Sequence, residues 1–205
     1  MRHSPDQGNA AQTRRRIAVE AARMIAEQGL RDFHMAKLKA AAQLGLGAST
    51  ALPRNSEIED ALREHQRLFQ SDSQPRQLAK LRETAVEAME FLSLFEPRLV
   101  GPVLDGTADV YSAICLHLFT DNADDVAVFL GEQRIPFEQQ QRDLRMSTEL
   151  TCSLPVFVFA AGDASMDLTV FPVDGLRQAP LDRVSGQTMR RASRDAVMTL
   201  AAGRT

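Results

Sequence analysis

The residues best suited to bind a ligand lie in the stretch Leu99–Phe119. Gly101 and Gly106 flank a short loop between two apolar segments, and Ser112 lies just before the second segment. Glycine lets the backbone approach a ligand closely, and successive N–H groups in such a loop can donate to a phosphate. The loop is therefore one candidate site for a ligand. The alternative is a pair of turn glycines in an unrelated α/β domain.

Three residues with metal-binding side chains accompany this loop. Cys115 and His117 are two residues apart, so a strand would place both on one face, and Asp167 on another strand of the same sheet could join them. One thiol, one imidazole and one carboxylate form a minimal set for a metal ion. A core cysteine and a hydrogen-bonded histidine are the simpler interpretation. Asp105 and Asp109 in the loop could supply further oxygen ligands, although such residues more often only solvate a loop.

The segments that would position these side chains predict a mixed sheet after Pro97. Runs rich in Val, Ile, Leu and Phe are typical of strands. Strands are predicted at Leu99–Val103, Ala113–Phe119, Ile135–Phe137, Leu154–Ala160 and Met166–Phe171. Gly162 and Asp163 predict a hairpin turn between the last two strands. Helices are predicted at Asn122–Glu132 and Met189–Ala202.

Alternation within the strand Ala113–Phe119 predicts which side chains are buried. Ile114, Leu116 and Leu118 should face the core. The intervening side chains, including Cys115, should then face a cleft on the other side of the sheet.

The N-terminal half of the chain predicts helices only. Residues 1–12 are polar and predict a disordered tail. Apolar residues at helical spacing then predict helices at Gln12–Gln28, Asp32–Leu44, Ser56–Phe69 and Arg76–Leu94. Thr13 is the predicted N-cap of the first helix, and Ser56 with Glu59 predicts a capping box in the third.

Composition narrows the class of protein. The chain has 205 residues, a net charge of −3, two cysteines and no tryptophan. This charge gives no general case for binding nucleic acid or an anionic membrane. No apolar run approaches the roughly 20 residues of a membrane-spanning helix. A reduced cytoplasmic protein with free thiols is the expected setting.

Residues 99–171 resemble the nucleotidyltransferase fold. Active members of that family carry Gly-Ser, a second glycine five residues on, and Ser-Asp-x-Asp at the start of the next strand. In the segment LVGPVLDGTADVYSAICLHLF, Gly101 and Gly106 match the glycines and Ser112 matches the serine of the second motif. The third carboxylate of the family lies on a later strand between apolar residues, and Asp167 matches that position.

The departures from the family pattern affect its chemistry. Pro102 replaces the serine of Gly-Ser, and Ala113 and Cys115 replace the two aspartates. The family holds two Mg²⁺ ions with three carboxylates. Here alanine offers no ligand and cysteine offers a soft sulfur, which does not suit magnesium. The resemblance therefore implies binding of a nucleotide, a phosphorylated molecule or a protein partner without metal-dependent transfer.

Residues 14–46 faintly resemble the first helices of tetracycline-repressor-type regulators. The segment from Arg15 to Phe33 places an Ala-Ala pair, an apolar pair, Glu-x-Gly and an aromatic residue at the spacing of that family. The recognition helix would follow Gly45, where the chain instead continues as GASTALPRNS and contains Pro53. A recognition helix must bring several side chains to base edges. Its apparent replacement predicts no sequence-specific DNA binding.

Together these patterns predict an α+β fold, in which a helical N-terminal segment precedes a small mixed-sheet nucleotidyltransferase-like domain. The predicted divisions are the tail 1–12, the helical segment 13–95 and the α/β domain 96–205. The leading function is a degenerate nucleotidyltransferase-like binder, with Gly101, Gly106 and Ser112 as nucleotide-binding residues and no cofactor. One alternative is an active, Mg²⁺-dependent nucleotidyltransferase with Asp167 as catalytic residue and Asp105 and Asp109 as replacement ligands. The other is a transcriptional regulator that acts through residues 12–50.

Overall fold

A computed structural model describes residues 5–30, 32–46, 51–69 and 73–203. The chain divides into two compact units, residues 1–73 and residues 74–205. No helix among the described residues is long and apolar enough to cross a membrane. The α+β class predicted from the sequence is confirmed, because a helical N-terminal part is followed by a mixed five-stranded sheet.

The described residues of the first unit form three helices. They are α1 (Pro5–Gln28), α2 (Phe33–Gln43) and α3 (Asn55–Phe69). Small side chains, including Ala21 and Ala40, are fully buried in the core of this unit and allow the helices to pack closely. The carboxylate of Asp32 accepts hydrogen bonds from the first N–H groups of α2, which fixes where this helix begins.

Two helix starts in this unit differ from the prediction. Helix α1 begins at Pro5, so Thr13 lies within the helix instead of capping it. Helix α3 begins at Asn55, and the Glu57 carboxylate accepts from the Arg54 N–H at 2.7 Å. Only the half of a capping box that the acidic side chain supplies is therefore seen, and it lies two residues earlier than predicted.

In the part of the second unit that the structure describes, the chain forms the sheet and four α-helices. The helices are α4 (Ser73–Phe91), α5 (Pro102–Asp105), α6 (Asp124–Glu132) and α7 (Arg194–Ala201). The strands are β1 (Arg98–Val100), β2 (Ile114–Phe119), β3 (Glu138–Arg145), β4 (Thr151–Ala161) and β5 (Ala164–Phe171). Their spatial order is β1-β2-β5-β4-β3, and only β2 and β5 run parallel.

One face of the sheet packs into the main core. Ile114, Leu116 and Leu118 of β2 are fully buried, as predicted, together with side chains of β5. Met89 and its neighbours on α4 belong to the same core. Helix α4 therefore packs with the sheet, and the observed division at Ser73 precedes the boundary predicted at residue 95.

The segments around β1 and β3 differ from the predicted strands. The predicted strand Leu99–Val103 ends at Val100, because Gly101 adopts a φ of +71° and Pro102 starts a helical turn. The predicted strand Ile135–Phe137 is absent, and β3 begins only at Glu138. Its sequence, EQQQRDLR, contains one apolar residue and so gave no strand signal.

Candidate functional site

The second face of β2 and β5 brings several of the predicted site residues together. Cys115 lies opposite Asp167 in the parallel register, and His117 lies opposite Thr169. Gly101 follows the last residue of β1, and a Cβ at this position would lie 3.9 Å from the Sγ atom of Cys115. The glycine loop, the cysteine and the aspartate thus adjoin one another. We call the second faces of β2 and β5 the polar face.

An arginine from the far edge of the sheet pairs with Asp167. Arg142 of β3 extends past β4, and its two terminal nitrogens donate to the two carboxylate oxygens at 2.8 and 2.7 Å. The side chain of Asp167 is only 16% exposed, which shields this bidentate pair from water. The hydrogen bond to Asp167 raises the pKa of the Arg142 guanidinium. The charge of Asp167, the predicted catalytic carboxylate, is therefore neutralised by the guanidinium of Arg142.

A second arginine contacts the other end of the polar face. The Nε atom of Arg191 donates to Nδ1 of His117 at 2.9 Å, and its guanidinium lies over the rings of Phe119 and Phe171. His117 is only 3% exposed. Burial, together with the charges of Arg191 and Arg142, lowers the pKa of His117 to about 3. His117 is therefore a neutral hydrogen-bond acceptor near neutral pH, as the simpler of the two sequence interpretations expected.

Ser112 and Asp109 stabilise the loop in which they lie. The Ser112 hydroxyl donates to the Asp109 carboxylate at 3.0 Å and accepts from the Asp109 N–H at 2.9 Å. Both residues are buried. Gly106 ends α5 with a φ of +81°, a conformation that favours glycine. These contacts give Ser112 and Gly106 a role in shaping the loop.

The carboxylates considered as replacement ligands do not converge. The Oδ1 atom of Asp105 lies 3.6 Å from the Nη1 atom of Arg190. Asp109 is hydrogen-bonded within its own loop, and Asp167 is paired with Arg142. Among the described residues, no three His, Cys, Asp or Glu side chains form a group that could hold a metal ion. The Sγ atom of Cys115 instead contacts the Ala113 carbonyl oxygen at 3.7 Å.

Sequence reasoning did not identify the two arginines that complete this face. Arg142 lies in a strand without an apolar pattern, so neither its strand nor its direction was predictable. Arg191 lies in an irregular segment before α7. Its only sequence signal is the dipeptide Arg190-Arg191, which carries no structural signature of its own.

Helix α3, which follows the predicted turn, exposes more acidic than basic side chains among the described residues. Residues 47–50, where the recognition helix would begin, lie outside the described residues, and residues 51–54 are not helical. Helix α3 then exposes Asp60 and Glu64, and Arg63 on the same helix pairs with Glu59 and Asp60. Acidic side chains repel the phosphates of DNA.

No protein-family model matches this chain, and no curated protein matches it. The polar face and the sequence pattern of the glycine loop are therefore the features from which a function can be inferred.

Proposed function

We propose that this chain is a catalytically degenerate, nucleotidyltransferase-like protein that binds a nucleotide or another phosphorylated ligand without transferring a nucleotidyl group. The observation that carries the proposal is the juxtaposition of Gly101, Cys115 and Asp167, with Arg142 bonded to the aspartate. The glycine loop lies beside Cys115 and Asp167, whose positions match two carboxylate positions of the family, and this supports a relation to nucleotidyltransferases. The pairing of Arg142 with Asp167 supports the absence of metal-dependent transfer.

Transfer by this family requires carboxylates that hold divalent cations. A carboxylate already bonded to both arms of a guanidinium is a poor metal ligand, because the metal would have to displace two charge-assisted hydrogen bonds. The arginine cation also repels a divalent cation. A phosphate group would instead accept from backbone N–H groups of the loop at Gly101, which requires no metal ion. These properties favour metal-independent binding over catalysis.

Calorimetry with each of the four nucleoside triphosphates, in Mg²⁺ and in EDTA, tests this proposal. We expect micromolar binding that does not require metal, and no labelled nucleotide transferred to water, protein or added acceptors. Replacing Asp167 with Asn should not abolish binding, because no metal depends on its charge. Metal-dependent binding that is lost in Asp167→Asn, with measurable transfer, would instead identify an active enzyme.

Two glycine substitutions localise the ligand. Gly101→Ala places a Cβ above Cys115 at a φ of +71°, and we expect it to weaken nucleotide binding. Gly162→Ala is the matched control, because it has a similar φ of +60° but lies in the β4–β5 turn with no atom within 4 Å of the new Cβ. Equal effects of both substitutions on binding would show that the loop at Gly101 does not contact the nucleotide.

A further inference from the structure

A cavity of about 760 Å³ lies beside β1 and the start of α7, within the second unit. Arg98, Arg190 and Arg191 line it, and the apolar side chains of Leu104 and Leu200 also contribute to its wall. None of the three arginines was identified as a site residue from the sequence. The cavity therefore combines a positive region with an apolar one, which is the usual character of a site for a small molecule with one charged group.

Arg191 has a buried donor that no described residue satisfies. Its Nε atom donates to His117, and its Nη1 atom donates to the Gly175 carbonyl at 2.6 Å. Its Nη2 atom is buried and has no hydrogen-bond partner in the described structure. A buried donor of a charged group is costly to leave unpaired, so an acceptor at this position would stabilise the fold.

Arg98 adds a second positive charge on the same side. Its guanidinium donates to the backbone carbonyls of Glu96 and Pro97 and to the Glu96 carboxylate at 3.3 Å. That carboxylate is 62% exposed and therefore neutralises Arg98 only weakly. Burial and the neighbouring charge of Arg98 together lower the pKa of Arg191 to about 10. Two arginines that oppose each other's charge in this way favour an anion between them.

Arg190 extends the positive region toward solvent. Its Nη1 atom lies 3.6 Å from the Oδ1 atom of Asp105, and its side chain is 72% exposed. A pair this open to water contributes little, so Arg190 can turn to an incoming anion at low cost. The N-terminus of α7, capped by Ser193, lines the same cavity and adds a positive partial charge.

We propose that this cavity binds the phosphate group of a small metabolite, with Arg191 and Arg98 as its charged donors and without a metal ion. Arginine suits phosphate because its planar donors can pair with two oxygens at once. The remainder of the ligand packs against Leu104 and Leu200. The site uses none of Gly101, Cys115 or Asp167, so it goes beyond the function proposed above.

Titration calorimetry with inorganic phosphate and pyrophosphate in EDTA tests the site. We expect one equivalent of pyrophosphate to bind, and the affinity to decrease as salt increases. Arg98→Gln should weaken binding about tenfold or more, since it removes a charge-assisted contact. Arg145→Gln is the matched control, because Arg145 is an exposed arginine at the end of β3, the opposite edge of the sheet. We expect this control to bind as the wild type does.

Arg191 also stabilises the fold, so its replacement requires a second variant. Arg191→Gln removes the charge, whereas Arg191→Lys retains it, and thermal melts show which of them fold. Weakened binding in Arg98→Gln and Arg190→Gln supports the site even if both Arg191 variants unfold. Unchanged pyrophosphate affinity in Arg98→Gln, or no binding by the wild type, would overturn the proposal.

The two proposed sites can fail independently. Pyrophosphate binding that is sensitive to Arg98→Gln but not to Gly101→Ala assigns the anion to this cavity, whatever nucleotides do. Pyrophosphate binding that is lost only in Gly101→Ala places the phosphate at the glycine loop and excludes the cavity.

Discussion

The two faces of strand β2 differ although they alternate along the same six residues, Ile114–Phe119. Ile114, Leu116 and Leu118 on one face are fully buried in the main core. On the other face, Cys115 lies opposite Asp167, which is paired with Arg142, and His117 accepts a hydrogen bond from Arg191. The first face is stabilised by the removal of apolar surface from water and by close packing. On the second face, each buried charged or polar group requires its own hydrogen-bond or ion-pair partner.

This difference means that the fold can persist while the residues of the polar face change. The apolar face favours one register of the sheet, because a slip by one residue would move its side chains out of the main core. The residues of the polar face can change more freely, provided that Asp167 keeps a cationic partner. Substitutions on the two faces should therefore differ in size and in cause.

The largest effect is expected for Leu116→Ala on the apolar face. Removing a fully buried leucine leaves a cavity, and such changes lower the free energy of unfolding by about 2–5 kcal/mol. Because the chain has no tryptophan and divides into two units, hydrogen exchange of the β2 and β5 amides is the best measurement. A loss of less than about 1 kcal/mol would show that β2 is not central to this core.

The next largest effect is expected for Asp167→Ala, which leaves the half-buried Arg142 without its partner. We expect a loss of about 1–3 kcal/mol in unfolding free energy and a clear coupling in a double-mutant cycle with Arg142→Ala. The matched control is Asp163→Ala, which removes the 91% exposed partner of Lys80 and should cost less than about 1 kcal/mol. Equal losses from Asp167 and Asp163 would mean that the buried pair adds no stability.

The sequence was sufficient to predict the apolar face but not the partners on the polar face. Apolar runs predicted strands β2 and β5, and alternation predicted which residues of β2 are buried, because burial leaves a periodic signal. Arg142 reaches Asp167 from a polar edge strand, and Arg191 reaches His117 from an irregular segment. Contacts of this kind depend on tertiary placement and on long, adaptable side chains, so they leave no local pattern. The predicted end of β1 was too late because Gly101 and Pro102 begin a helical turn. The predicted start of α1 was too late because Thr13 has the side chain of an N-cap but lies inside the helix.

A third prediction concerns pH and sharpens the contrast between the faces. The unfolded chain protonates His117 near its ordinary pKa of 6.5, whereas the folded protein does so only near pH 3. The stability that depends on neutral His117 is therefore fully present above pH 6.5 and is lost as the pH falls toward 3. For this residue alone, the loss between about pH 7.5 and about pH 5 is on the order of 2 kcal/mol.

His117→Asn isolates this contribution, because asparagine retains an acceptor for Arg191 but does not titrate. Urea unfolding of both proteins at the two pH values gives the difference. We expect the variant to show a smaller loss of stability on acidification than the wild type. Identical pH dependence would mean that His117 is readily protonated in the folded protein.

The smallest effect is expected for Cys115→Ala, the neighbour of Leu116 on the opposite face. The side chain of Cys115 is partly exposed, and its contact with the Ala113 carbonyl is a weak sulfur hydrogen bond at 3.7 Å. The loss of a small, half-buried thiol should cost less than about 1 kcal/mol, measured by exchange of the same β2 amides as for Leu116→Ala. The ratio of the two effects then measures how strongly the two faces differ. A loss as large as that of Leu116→Ala would show that the polar face is packed as a core around Cys115, as it is around Phe119 and Phe171, and leaves no room for a ligand beside Gly101.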